Sequence, residues 1–122
     1  MVISHVLDTN VVLYHLSGRL NDRVPVEGLA VSVVTELELF SFPDLSTEDE
    51  RNVRGFLKAV EVVGIDEEVK AATIRLRRQR RMRLPDAIIA GTAIAHGALL
   101  WTNDQRLLGI EGVKFHPITM KP

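Results

Sequence analysis

Short apolar, β-branched runs alternate with helical patterns from one end of the chain to the other, and this alternation constrains the fold more than any other feature. A run too short for a helix, then an amphipathic stretch, then another run, is the pattern of β-α-β units, whose crossover helices make neighbouring strands parallel. Runs at 2–7, 29–34, 60–65, 98–102 and 113–116 predict five short strands of an α/β fold. No linker, repeat or low-complexity segment interrupts them, so the 122 residues read as a single domain, 1–122. A chain of that length buries roughly two thirds of its unfolded surface without help from a disulfide or a structural metal.

Helix signals fall between the runs. Residues 11–16 form an apolar helix stopped by Ser17-Gly18, and Thr35-Glu36-Leu37-Glu38 has the spacing of a capping box that starts a second helix. Ser46 to Glu50 opens a third, with Val53, Phe56, Leu57 and Val60 at helical spacing on one face. Asp66 caps a fourth, acidic in its first turn and arginine-rich in its last turns, as the helix dipole favours. Pro85 suits the first position of a fifth, and residues 87–95 are apolar all round, which predicts burial on more than one face.

Composition excludes several classes. With 46% hydrophobic and 25% charged residues the chain is neither disordered nor fibrous. The absence of cysteine removes disulfides, thiolate metal sites and thiol nucleophiles, and is compatible with the reducing cytoplasm. The first five residues carry no basic segment leading into an apolar one, and the most apolar stretch, 87–101, is shorter than the roughly 20 residues of a membrane span. No membrane association is expected.

Ligands of open parallel sheets sit beyond the carboxyl ends of the strands, so the residues just after each strand carry the functional information. Here they are acidic: Asp8 after the first strand, Glu36 and Glu38 after the second, Asp104 after the fourth, and Asp86 at the mouth of the helix leading into the fourth. Carboxylates brought together repel and raise one another's pKa unless a cation compensates them. Oxygen-only donors suit Mg²⁺ or Mn²⁺, which keep part of their water shell and bridge to phosphate oxygens. The chemistry expected of such a cluster is phosphoryl transfer to water.

Asp8-Thr9-Asn10, Thr35-x-x-Glu38, Leu84-Pro85-Asp86-Ala87 and Thr102-Asn103-Asp104, in that order and at those strand ends, resemble the motifs of the PIN-domain ribonucleases, specifically the VapC-type toxins of prokaryotic toxin–antitoxin pairs. The resemblance implies a PIN-like three-layer sandwich around a parallel five-stranded sheet of order 3-2-1-4-5. It also implies a Mg²⁺- or Mn²⁺-dependent endoribonuclease that leaves a 5′-phosphate and a 3′-hydroxyl, a homodimer, and an antitoxin partner. Carried over by motif, Asp8, Glu38, Asp86 and Asp104 are the acidic quartet, with Asn10 and Thr102 as supporting polar groups. Glu36 is held in reserve, because residues two apart on a helix lie about 200° apart and only one of Glu36 and Glu38 can face an ion.

Each motif also has a plain reading. Asp8 suits a helix cap, Asp86 a helix N-terminus, Glu38 the capping box and Asn103-Asp104 a turn. Arg75, Arg77, Arg78, Arg80, Arg81 and Arg83, six of the chain's 11 arginines, form either an RNA-phosphate contact or a solvated, dipole-compensating helix end. His5, His15, His96 and His116 show no ligand spacing, and Trp101 and Tyr14 are too isolated to stack bases. Leu39, Phe40, Phe42, Pro43 and Leu45 read as core, or as an apolar surface for a second protein. The rival functions are a housekeeping RNA-processing nuclease, an aspartyl-phosphate phosphohydrolase built on Asp8, which Asn10 two residues on argues against, and a non-catalytic RNA-binding module.

Overall fold

In the computed structural model, which describes residues 2–122, the strands are β1 His5–Leu7, β2 Leu29–Ser32, β3 Glu61–Val63, β4 Leu99–Thr102 and β5 Lys114–Pro117. The helices are α1 Thr9–Leu16, α2 Val33–Phe40, α3 Thr47–Ala59, α4 Glu67–Gln79 and α5 Leu84–His96. All sheet neighbours are parallel, as the alternation of runs and helices predicts, and the order is β3-β2-β1-β4-β5, the one the resemblance implies. The chain steps outward from β1 to β2 and β3, then crosses back to place β4 on the other side of β1. That reversal opens a crevice at the carboxyl ends of β1 and β4.

Alternation along the strands sorts the core into two layers. Val6, Ala30 and Leu100 pack with Leu76 of α4 and with Ile89, Ala90 and Ala93 of α5. Leu7, Val31 and Trp101 pack on the opposite face with Val11 and Val12 of α1, Leu39 of α2 and Val53 of α3. Both faces of the sheet are therefore covered, which is why its strands read as continuous apolar runs rather than as an alternation of apolar and polar residues. The result is the three-layer sandwich, with α4 and α5 on one side and α1, α2 and α3 on the other.

The helix hairpin α4–α5 owes its close approach to Gly91. A Cβ there would lie 2.6 Å from the Thr73 hydroxyl oxygen, which itself donates to the Val69 carbonyl at 2.7 Å. Gly97 ends α5 in the left-handed region (φ 61°), as a helix C-terminus prefers. Capping follows the sequence at α3, where Ser46 and Asp49 form a reciprocal capping box, and at α4, where Asp66 accepts from the Val69 N–H.

Two local readings change. The capping box read at Thr35-x-x-Glu38 does not form: α2 starts at Val33, capped by the Ser32 hydroxyl, which accepts from the Val34 N–H at 3.1 Å. Strand β2 ends at Ser32, all four of its residues buried, so Thr35 lies inside the helix with its side chain buried. Pro85 occupies the second rather than the first position of α5, which begins at Leu84. The strands are also shorter than the apolar runs. At β1 the N–H groups of Ser4 and His5 both donate to the Gly28 carbonyl, so regular pairing begins only at His5.

Candidate active site

Asp8 leaves β1 at its carboxyl end and caps α1, its Oδ1 accepting from the Val11 N–H at 2.8 Å. Its side chain is only 8% exposed, and burial is the main reason its pKa is raised. The Thr102 hydroxyl and the Val11 N–H oppose that shift, while the negative charges of Asp104 and Asp86 reinforce it. The plain cap and the ion-ligand readings of Asp8 are thus compatible, because one oxygen bonded to an N–H leaves the carboxylate further acceptor capacity.

The other carboxylates come from separate elements. Glu38, on the last turn of α2, accepts from the Thr9 hydroxyl at 2.6 Å, and that hydroxyl also contacts the Thr35 hydroxyl at 3.0 Å. Asp86 lies in the first turn of α5, whose N-terminus has no side-chain cap. Asp104 sits in the turn after β4: its N–H donates to the Thr102 hydroxyl at 3.0 Å, and its Oδ1 accepts from the Arg106 N–H at 3.0 Å. Thr102, buried at the end of β4, thus holds the backbone of Asp104, and its hydroxyl is among the groups that moderate the Asp8 shift.

Asp8, Glu38, Asp86 and Asp104 line one cleft of about 510 Å³, together with Asn10 and Arg106. Asn10 is exposed on its wall. Glu36 does not line the cleft, so α2 presents Glu38 to it and turns Glu36 away.

Arg106 is the residue that sequence reasoning missed. Its Nη2 and Nε donate to the two oxygens of Asp104 at 2.8 and 3.1 Å, and Nη2 lies 4.0 Å from an oxygen of Asp86. The hydrogen bonds from this guanidinium are the main cause holding the Asp104 carboxyl below its usual range. The only sequence signal was Asp104-Gln105-Arg106, an Asx-turn spacing that brings the side chain of the third residue back over the first.

The donor set fits a hard divalent ion in kind, being four carboxylates that open onto one cleft with oxygen-only donors. Among the described residues no three acidic or imidazole side chains are close enough to form a ready-made cage. A Mg²⁺-type ion, which binds through one or two carboxylates and retains several waters, does not require one.

A second groove, of about 470 Å³, adjoins the cleft and shares Arg83, Asp86, Asp104, Arg106 and Leu107 with it. Arg80 and Arg81 line its far side. Arg75, Arg77 and Arg78 project from the end of α4 outside this groove, and among the described residues none of the six forms an ion pair.

The PIN domain family model matches residues 5–113. The chain belongs to the PIN domain family. As a PIN domain it is similar, at 29% identity and a TM-score of 0.75, to a chain of a toxin–antitoxin complex from Klebsiella pneumoniae, with 90% of this chain and 95% of that one covered. It shares its fold with DNA-bound VapBC from Salmonella typhimurium (23% identity, TM-score 0.77, 94% and 98% covered). It likewise shares its fold with VapBC-5 from Mycobacterium tuberculosis (24%, 0.70, 93% and 98%). A search of curated protein sequences gives no match.

Away from the cleft, the PIN domain's remaining motifs have structural roles. Trp101 is buried, stacks on His116 (centroids 3.8 Å apart) and donates to His5 Nδ1 at 3.0 Å, so it is no platform for bases. Burial foremost, with the nearby His116, lowers the His5 pKa. Leu39 is core, whereas Phe42 is 45% exposed and stands between the acidic cleft and an apolar groove lined also by Leu13, Leu16, Pro43 and Leu45. Among the described residues no helix is long and apolar enough to cross a membrane.

Proposed function

We propose that this PIN domain is a divalent-metal-dependent endoribonuclease, the toxin of a toxin–antitoxin pair, acting as a homodimer in the cytoplasm. The observation that carries this reading is the buried Asp8 carboxylate, set against the charges of Asp86 and Asp104 at the switch point of a parallel sheet. A buried carboxylate at that junction, with three more opening onto the same cleft, is a donor set that a divalent ion would complete. Asp8, Asp86, Asp104 and Glu38 would hold Mg²⁺ or Mn²⁺, with Asn10 and Thr102 supporting them.

The chemistry a bound divalent ion would supply there is Lewis-acid polarisation and activation of water for phosphodiester hydrolysis. The chain's own contribution is to fix the carboxylates before substrate arrives: the Val11 N–H orients Asp8, the Thr9 hydroxyl orients Glu38, and the Thr102 hydroxyl fixes the turn bearing Asp104. Arg80, Arg81 and Arg83, in no ion pair among the described residues, line the groove beside Asp86 and Asp104 and offer adjacent RNA phosphates a positive path into the cleft. Arg75, Arg77 and Arg78 extend that charge outward along α4.

The toxin assignment is supported by the likeness to the Klebsiella complex and by the apolar groove beside Phe42, a surface of the kind a protein partner covers. Purified protein incubated with total RNA, with and without Mg²⁺ or Mn²⁺, is expected to give discrete cut ends only with the ion. Asp86→Asn is expected to give none. Metal-independent cutting, or equal cutting by the variant, excludes the proposal.

A further inference from the structure

We propose that Arg106 is a resident counter-cation of the acidic cleft: it opposes entry of the divalent ion and, once displaced, serves the RNA phosphate. This rests on the metal-dependent reading above and deepens it. Both oxygens of Asp104 are engaged by the Arg106 fork, and a single nitrogen of that fork also faces Asp86, so one guanidinium stands against two of the four carboxylates offered to the ion.

A structural purpose for the contact is weak. The Arg106 side chain is 74% exposed, and an ion pair so open to water adds little to stability. The turn is secured without the guanidinium, by the backbone N–H groups of Asp104 and Arg106 bonding to the Thr102 hydroxyl and to Asp104 Oδ1. What the guanidinium does uniquely is place a positive charge among carboxylates that otherwise repel.

A divalent ion and a guanidinium cannot share those oxygens without mutual repulsion. Ion binding therefore frees the fork, and the freed fork stands on the wall common to the cleft and the arginine-lined groove. Its planar pair of donors matches two oxygens of a phosphate. One residue thus couples the two ligands with opposite sign, holding the ion off and drawing the polyanion in.

The test uses the full chain. Mn²⁺ titrated calorimetrically without RNA is expected to bind Arg106→Gln at least about tenfold more tightly than the parent, the effect of removing a unit charge roughly 6 Å from a divalent ion even at the full screening of water. Arg106→Lys, which keeps the charge and loses the fork, is expected to stay closer to the parent. At saturating Mn²⁺ the Gln variant is expected to show a KM for RNA raised about tenfold, with kcat changed less. Circular dichroism of both variants checks that they fold.

Equal or weaker Mn²⁺ binding by Arg106→Gln overturns the counter-cation role, and an unchanged KM overturns the phosphate role. Either result leaves the metal site intact if the parent binds Mn²⁺. If neither protein binds Mn²⁺, the metal-dependent reading and this inference fall together.

Discussion

The two ends of the sheet offer openings of similar kind and opposite chemistry. At the amino ends, Ser4, His5, Gly28, Leu29, Val60 and Glu61 border a space of about 710 Å³, larger than the 510 Å³ cleft at the carboxyl ends. Its acids, Glu27 and Glu61, are accompanied by Lys58. The carboxyl-end cleft is smaller yet gathers four acids from four elements, one of them buried and electrostatically strained. Volume does not pick the functional end; strand direction does, because only the carboxyl ends receive the residues that turn from strand into helix.

The largest expected effect separates the two ends outright. Asp8→Asn and Asp86→Asn should each lower metal-dependent RNA cleavage at least about a hundredfold, since even groups behind a metal's ligands cost 10–100-fold when lost. Glu61→Gln at the amino end should cleave at the parent rate. Loss of activity from Glu61→Gln in a folded protein, measured on the same labelled RNA, would erase the contrast.

A packing change sharpens it. Gly91→Val drives a side chain into Thr73 and should cost about 1–3 kcal/mol in urea unfolding, as overpacked helix contacts do. Because α5 carries Asp86 at its start, the variant should also weaken Mg²⁺ binding, whereas a change confined to the amino end should not.

The pH dependence should differ between two acids of the same cleft. The Asp8 pKa is raised on folding, so its favourable contribution is present below the ordinary carboxylate range and is lost as pH rises through the raised value. Without metal, Asp8→Asn should therefore be more stable than the parent at neutral pH, the gain shrinking on acidification; Asn also retains the oxygen that caps α1. The Asp104 pKa is lowered, chiefly by the Arg106 hydrogen bonds, so its contribution is present above the ordinary range and is lost as pH falls. Asp104→Asn should be slightly less stable at neutral pH, converging on the parent in acid. Urea midpoints between pH 3 and 7, at roughly unit intervals, read both signs.

The smallest effect is a control. Ser46→Ala removes the capping box of α3 and should cost about 1 kcal/mol, with cleavage unaffected at a temperature where the variant is folded.

The strands and the acidic residues at their ends were legible because each is written locally: an apolar run, then a carboxylate, then a helix signal. The sheet order came instead from the resemblance to the PIN-domain motifs, since the pairing of strands far apart in the chain is not written locally. The choice of Glu38 over Glu36 rested on the motif spacing after Thr35, with Glu36 in reserve, and the Thr9 contact that holds Glu38, spanning 29 positions, was not visible at all. The start of α2 was misread because Ser32 and Thr35 both suit an N-cap and both precede apolar residues. What decided between them was the burial of β2 up to Ser32, a tertiary fact. Arg106 escaped because its role depends on where Asp86 lies, and the two meet only after β4 has docked beside β1. The arginine cluster was legible as charge but not as geometry: Arg80, Arg81 and Arg83 line the groove while Arg75, Arg77 and Arg78 do not.

The shared divalent ion is tested most directly by thermal unfolding of the parent, Asp8→Asn and Asp86→Asn across a Mg²⁺ titration without RNA. The parent's midpoint should climb with ion concentration, gaining about 2.7 kcal/mol when Mg²⁺ reaches about a hundred times its dissociation constant. Both variants should stay flat over the same range. A parent that does not respond, or three proteins that respond alike, would contradict a metal site built from these carboxylates.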